Sequence, residues 1–272
     1  MTSPILAIDH LTISVADIEN ETENYSLLLD TPPVRHRNED GSERTVFQTR
    51  NVAVHLVASD QPRGLEAMCF EVDSLERLHR RLERVAIPST ESLVATADNS
   101  EEPQTLRVST QDATRGIQLS FREKIRSDRR NHSELGGGLD HVVIASQNSE
   151  GTAFLLGSQL ALDMRMDMSR REWKARLMFF RCGDLIVEVF ESLETQESPS
   201  EEKQPRGNES EQDRFYGLTW RVDDAEASHK RLTEAGFNVS EVRKGRKPGS
   251  RVLTVRDKTA EVATLLIELP NS

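Results

Sequence analysis

Apolar residues recur along this chain in two rhythms. Short alternating or continuous apolar runs mark strands, and spacings of three and four mark helices. The first run, at 6–15, leads into a helical stretch near 18–29, and strands follow near 33–36, 44–49 and 52–58. A second set opens at 64–72 and passes into 74–85, where Leu75, Leu78 and Leu82 form one apolar stripe. Its last strand is 116–121. A third set opens at 138–146, with a helix near 151–160 and strands near 175–182 and 184–190. The fourth opens at 216–222, continues with a helix at 224–235 that Gly236 is placed to end, and closes with a strand at 264–269. Each helix entry carries a capping residue type, at Asp17, Ser74, Asn148 and Asp223. One unit, strand then helix then three strands, is therefore predicted four times.

The four units group in pairs, as domains at 1–122 and 138–272 joined by a linker at 123–137, with Gly136-Gly137-Gly138 as a flexible joint. Segment 192–213 is acidic and poor in apolar residues, and 95–104 is similar, so both are expected to be disordered.

Composition narrows the function. A net charge of -11 opposes nucleic-acid binding, and the basic run 122–130 is interrupted by acids and reads as a solvated linker. No apolar run approaches the roughly 20 residues needed to cross a bilayer. The N-terminus runs straight into the first strand without a signal peptide, which implies a cytoplasmic protein. Cys69 and Cys182 lie inside strand-like segments and read as buried, reduced thiols. There is no nucleophile elbow, P-loop, CxxC or HExxH.

The sharpest chemical signal is a repeat. His10 stands in Ile-Asp-His-Leu-Thr-Ile-Ser-Val, and His141 in Leu-Asp-His-Val-Val-Ile-Ala-Ser. With Ala-Arg-Leu-Met-Phe-Phe-Arg-Cys-Gly-Asp-Leu-Ile-Val-Glu-Val-Phe-Glu, Tyr-Gly-Leu-Thr-Trp-Arg-Val-Asp-Asp and the closing Leu-Leu-Ile-Glu-Leu, the chain resembles the vicinal oxygen chelate superfamily. That group includes glyoxalase I, methylmalonyl-CoA epimerase, bleomycin-resistance proteins and extradiol dioxygenases. The resemblance implies an α+β fold of four βαβββ modules, paired into two glyoxalase-like domains with curved, cup-shaped mixed sheets.

The resemblance also implies metal ligands at matching strand positions. In the second domain these are His141, Glu188, Gly217 and Glu268, with glycine in place of a second histidine. His141, Glu188 and Glu268 would hold a divalent ion (Fe, Mn, Zn, Ni or Co), and Glu268 or Glu188 would transfer the proton. In the first domain the matching residues are His10, His55, Ala67 and Gln118, of which His10, His55 and Gln118 make a weaker site. Arg176, Phe180 and Arg221 are expected to line the substrate pocket, with space left by Gly217. For each histidine the bland alternative is a hydrogen-bonded strand residue, and for each arginine a surface role.

The function implied is a metal-dependent enzyme acting on a small oxygenated substrate, by isomerase or lyase chemistry through a metal-stabilised enolate. The four-module layout suggests an extradiol dioxygenase instead, though Gly217 opposes that. A third reading is a metal-free protein that sequesters a small molecule. No membrane partner is expected, and the arrangement also allows a homodimer.

Overall fold

The computed structural model describes residues 3–37, 43–61, 64–92, 105–108, 111–124, 138–193 and 212–270. The expected linker at 123–137 and the disordered segments at 95–104 and 192–213 lie, save for their ends, outside the described residues.

The first half runs β1 (Ile5–Val15), α1 (Ile18–Leu29), β2 (Pro33–Arg37), β3 (Glu43–Gln48) and β4 (Ala53–Ala58). It continues with β5 (Gly64–Val72), α2 (Leu75–Arg84), β6 (Ser89–Ser92), β7 (Thr105–Val108) and β8 (Gln118–Glu123). The second half repeats the plan with β9 (Leu139–Ala145), α3 (Ser149–Ala153), β10 (Asp163–Arg170), β11 (Ala175–Cys182) and β12 (Leu185–Ser192). Then come β13 (Arg214–Val222), α4 (Ala225–Glu234), β14 (Arg243–Lys244), β15 (Arg251–Val255) and β16 (Ala263–Glu268).

Each half forms one eight-stranded mixed sheet, ordered β2-β3-β4-β1-β5-β8-β7-β6 and β10-β11-β12-β9-β13-β16-β15-β14. The opening strands of two modules lie antiparallel at the centre of each sheet, as β1 with β5 and β9 with β13. The last strand of each module runs parallel beside its opener, as β4 does beside β1 and β12 beside β9. This is the α+β, paired-module architecture that the resemblance implies.

The helix entries are capped as expected by Asp17, Ser74 and Asn148, whose side chains accept backbone N–H bonds. At α4 the cap is Asp224 rather than Asp223. The third helix splits into α3 and a wider turn at Phe154–Gln159, where Gly157 allows Phe180 to pack closely.

The helical sides of the two halves meet. Arg81 donates to the carbonyls of Ser158 and Gln159, Arg231 to that of Leu27, and the Tyr25 hydroxyl to that of Thr259. One apolar core runs through both halves, including Leu11, Phe47, Phe70, Leu78, Phe121, Val142, Phe180 and Leu232. Each such side chain contributes about 1.5–3 kcal/mol by leaving water. Cys69 and Cys182 are buried and unpaired, as expected. The other face of each sheet carries half-exposed polar residues, including both repeated histidines. Among the described residues, no helix is long and apolar enough to cross a membrane.

Candidate functional site

The register of β9 builds the site in the second half. His141 lies directly across from Thr219 on β13, and Glu188 on β12 pairs with Val143, one pleat further along. Alternation puts all three side chains on the open face. Thr219 pairs with His141 while Trp220 pairs with Leu139, so Asp140 is the extra residue of a bulge. The bulge brings the Asp140 carboxylate back to the His141 ring, where it accepts from Nδ1 at 2.8 Å. Arg221 Nε donates to its other oxygen at 3.1 Å, and Lys247 Nζ donates at 2.7 Å. With Nδ1 held, Nε2 faces inward, 2.9 Å from the Thr219 hydroxyl and 3.5 Å from a Glu188 oxygen.

The two carboxylates are tuned in opposite directions. Burial pushes the Glu188 carboxyl above its ordinary range, against the pull of His141, Arg246 and Lys247. Burial would raise Asp140 too, but the bonds from His141 and Lys247 outweigh it and hold that group well below the usual carboxylate range. Apolar surface frames the polar pair. Phe179 lies beside Glu188 across β11 and β12, and Phe190 stacks on Tyr216 with centroids 6.1 Å apart. The Arg246 guanidinium covers the Trp173 ring at 4.3 Å.

The structure brings His141 and Glu188 together but not Glu268. In β16, Ile267 pairs with Arg221 and Glu268 with Val222, so Glu268 faces the helical side. There its carboxylate accepts the Ala225 N–H at 2.8 Å and lies 3.5 Å from Arg251, closing the start of α4. Glu123 does the same for α2, accepting from Leu75 N at 2.9 Å, which marks a repeated capping device. The open-face position is Ile267, one residue away, and a one-residue step reverses the face.

Gly217 lies two residues from the position opposite His141. A Cβ there would come within 2.4 Å of the Ala263 carbonyl, so its missing side chain serves close strand approach rather than substrate space. Arg176 and Phe180 alternate on one face as expected, but that face is the helical one. Arg176 pairs with Asp167 and Glu150, and Phe180 is fully buried. A cavity of about 620 Å³ opens beside Arg176, Ser149 and Glu191, at the start of α3 and away from His141. Arg221 is at the site, bound to Asp140. Sequence reasoning placed Thr219 on this face by its parity with Gly217 but missed Asp140, Arg246 and Lys247. The repeated Asp-His pair was a usable signal for the first of these.

The first half fills the same places differently. Here His10 lies across from Cys69, and His55 pairs with Thr12, the counterpart of Val143. Asp9 accepts from His10 Nδ1 at 2.8 Å and lies 3.4 Å from Arg122. The His10 and His55 rings stack at 4.0 Å with 16° between their planes. Gln118 pairs with Ala67 instead and lies 3.4 Å from Gln111. Burial lowers the His55 pKa well below its ordinary value, and His10 lowers it further.

These donors decide whether a resident divalent ion fits. On the second face only His141 and Glu188 converge: Gly217 offers no donor, Glu268 faces the helical side, and the Thr219 hydroxyl is already engaged with Nε2. Two protein donors fall short of the three or more that hold a resident catalytic ion, so this set does not fit one. On the first face His10, His55 and Gln118 do not make such a set either: His10 Nδ1 is taken by Asp9, the two rings pack face to face, and Gln118 lies beside Gln111.

Comparison with known proteins agrees with the fold. The family model described as Glyoxalase/Bleomycin resistance protein/Dioxygenase superfamily matches residues 140–254. No curated protein matches the chain. A mutant of 4-hydroxymandelate synthase from Streptomyces coelicolor superposes with TM-score 0.73 at 14% identity, over 99% of this chain and 94% of that one. A Mn(II)-bound glyoxalase from Novosphingobium aromaticivorans gives 0.69 at 14% identity, over 98% and 83%. The 2,3-dioxygenase LapB from Pseudomonas sp. KL28 gives 0.69 at 12% identity, over 99% and 94%. Residues 140–254 thus resemble the glyoxalase, bleomycin-resistance and dioxygenase group at the level of the family model, and the whole chain shares the fold of these solved structures.

Proposed function

We propose that the second open face binds a small, oxygen-bearing acid and that Glu188 and His141 move a proton on it. The observation that carries this reading is the 3.5 Å approach of His141 Nε2 to Glu188 inside an apolar frame, with the ring fixed by Asp140. A carboxylate whose pKa is raised by burial is suited to take a proton near neutral pH. Lys247 and Arg246 place positive charge beside that pair and favour an anionic substrate. Phe179, Phe190 and Tyr216 suit an apolar body on the same molecule. The reaction class is isomerase or lyase, beginning with abstraction of a proton next to a carbonyl. It differs from the family expectation in resting on side chains alone. Extradiol ring cleavage loses support, because Gly217 stands where a second histidine would be needed and Glu268 faces the helical side.

Sequestration without chemistry is the rival reading, favoured by the Thr219 hydroxyl already bound to Nε2. Both are tested by screening small 2-oxo and 2-hydroxy acids by thermal shift, then following deuterium uptake from D2O into bound ligands by NMR. The proton-transfer reading predicts uptake that Glu188→Gln abolishes while binding persists. Binding without uptake in the unaltered protein would leave sequestration.

A further inference from the structure

The first open face carries a different chemistry. We propose that Cys69 is a nucleophilic thiol served by His10 and Asp9, and that it takes small uncharged α,β-unsaturated carbonyl compounds. Cys69 stands directly across β5 from His10. One donor atom from each of Asp9, His10 and Cys69 lies within 4.8 Å of the others, the only such group of three found among the described residues. Asp9 fixes the ring through Nδ1 at 2.8 Å and is itself near Arg122. The His55 ring lies flat on His10, so the imidazole cannot swing away from the thiol.

The electrostatics support the geometry. Burial alone would lower the His10 pKa, but Asp9 and the thiol raise it to about 9, so the ring holds a proton at neutral pH. A cation beside a thiol favours the thiolate. Arg44 adds positive charge on the His55 side. Cys69 is only 1% exposed, whereas the His10 side chain is 21% exposed, so a reactant enters along the imidazole and must be small. In the reaction, sulfur forms a C–S bond to the β-carbon and the C=C pair moves toward the carbonyl oxygen. The resulting enolate then takes the imidazolium proton at its α-carbon. Atoms and electrons balance with no outside oxidant.

Cys182 is the internal control, a buried thiol pushed above its ordinary pKa by burial and then by Asp184. The full-length native protein is treated with limiting acrylamide at pH 7, and peptides are followed by mass spectrometry. Cys69 is expected to be modified at least tenfold faster than Cys182, and faster than Cys69 in the urea-unfolded chain. Asp9→Asn and His10→Gln should slow it at least tenfold. If either variant misfolds, the native-against-unfolded comparison still decides, because burial alone can only slow a thiol. Native labelling slower than unfolded labelling, or labelling that appears only after EDTA, would overturn the proposal; the latter would mark a metal-bound thiolate.

Discussion

The two open faces share a frame and differ in content. Each has a bulged aspartate holding a histidine, at Asp9–His10 and Asp140–His141. Around it, His55 stands where the other half has Glu188, Cys69 where it has Thr219, and Arg122 where it has Ile267. An arginine reaches the aspartate in both halves, from β8 in the first and from β13 in the second. The frame therefore fixes an imidazole, and its neighbours decide the chemistry: a thiol with stacked rings on one face, a carboxylate with a hydroxyl on the other.

The largest expected difference lies in the aspartates. Asp140 is almost fully buried and bound to His141, Arg221 and Lys247, so Asp140→Asn leaves those cations uncompensated. A loss of about 3–5 kcal/mol is expected in urea unfolding. Asp9→Asn should cost less, because Asp9 is the less buried of the two.

The faces should also fail at opposite ends of the pH scale. His10 has its folded pKa raised from 6.5 to about 9, so its contribution is complete below 6.5 and lost as pH climbs through about 9. That contribution is at most about 3 kcal/mol, and His10→Gln should flatten the alkaline decline in melting temperature. Asp140, held below its ordinary 3.8, contributes fully above that value and loses its contribution as pH falls. Asp140→Asn should therefore blunt the acid decline only.

Smaller effects separate structural from functional residues. Gly217→Ala forces a Cβ against the Ala263 carbonyl and should cost about 2 kcal/mol, while the counterpart position in the first half carries Ala67. Glu268→Gln and Glu123→Gln should each cost about 1 kcal/mol through weakened helix starts, and neither should alter ligand binding or deuterium uptake. Lost uptake in Glu268→Gln would restore that residue to the site.

Much of the fold was legible because buried central strands alternate cleanly and the helix entries carry caps. Edge strands were legible only in part: β2 was expected near its place, but β10 is exposed along nearly its whole length and no apolar rhythm marks it. His10, His55, His141 and Glu188 could be placed because their strands have unambiguous openings. Glu268 could not, because β16 reads Ala-Thr-Leu-Leu-Ile-Glu and is apolar at four of six places. Such a run gives no parity, and the true face emerges only from its pairing with β13. Arg176 and Phe180 show the same limit, since alternation reveals a shared face but not which side that face is on.

The most direct test is metal stoichiometry of the untagged protein after equilibration with Mn(II), Co(II) and Zn(II), measured beside His141→Ala. The account predicts that the His141→Ala variant holds the same amount of metal as the unaltered chain, since two converging donors make no resident site. One equivalent bound by the unaltered protein and lost in His141→Ala would contradict it.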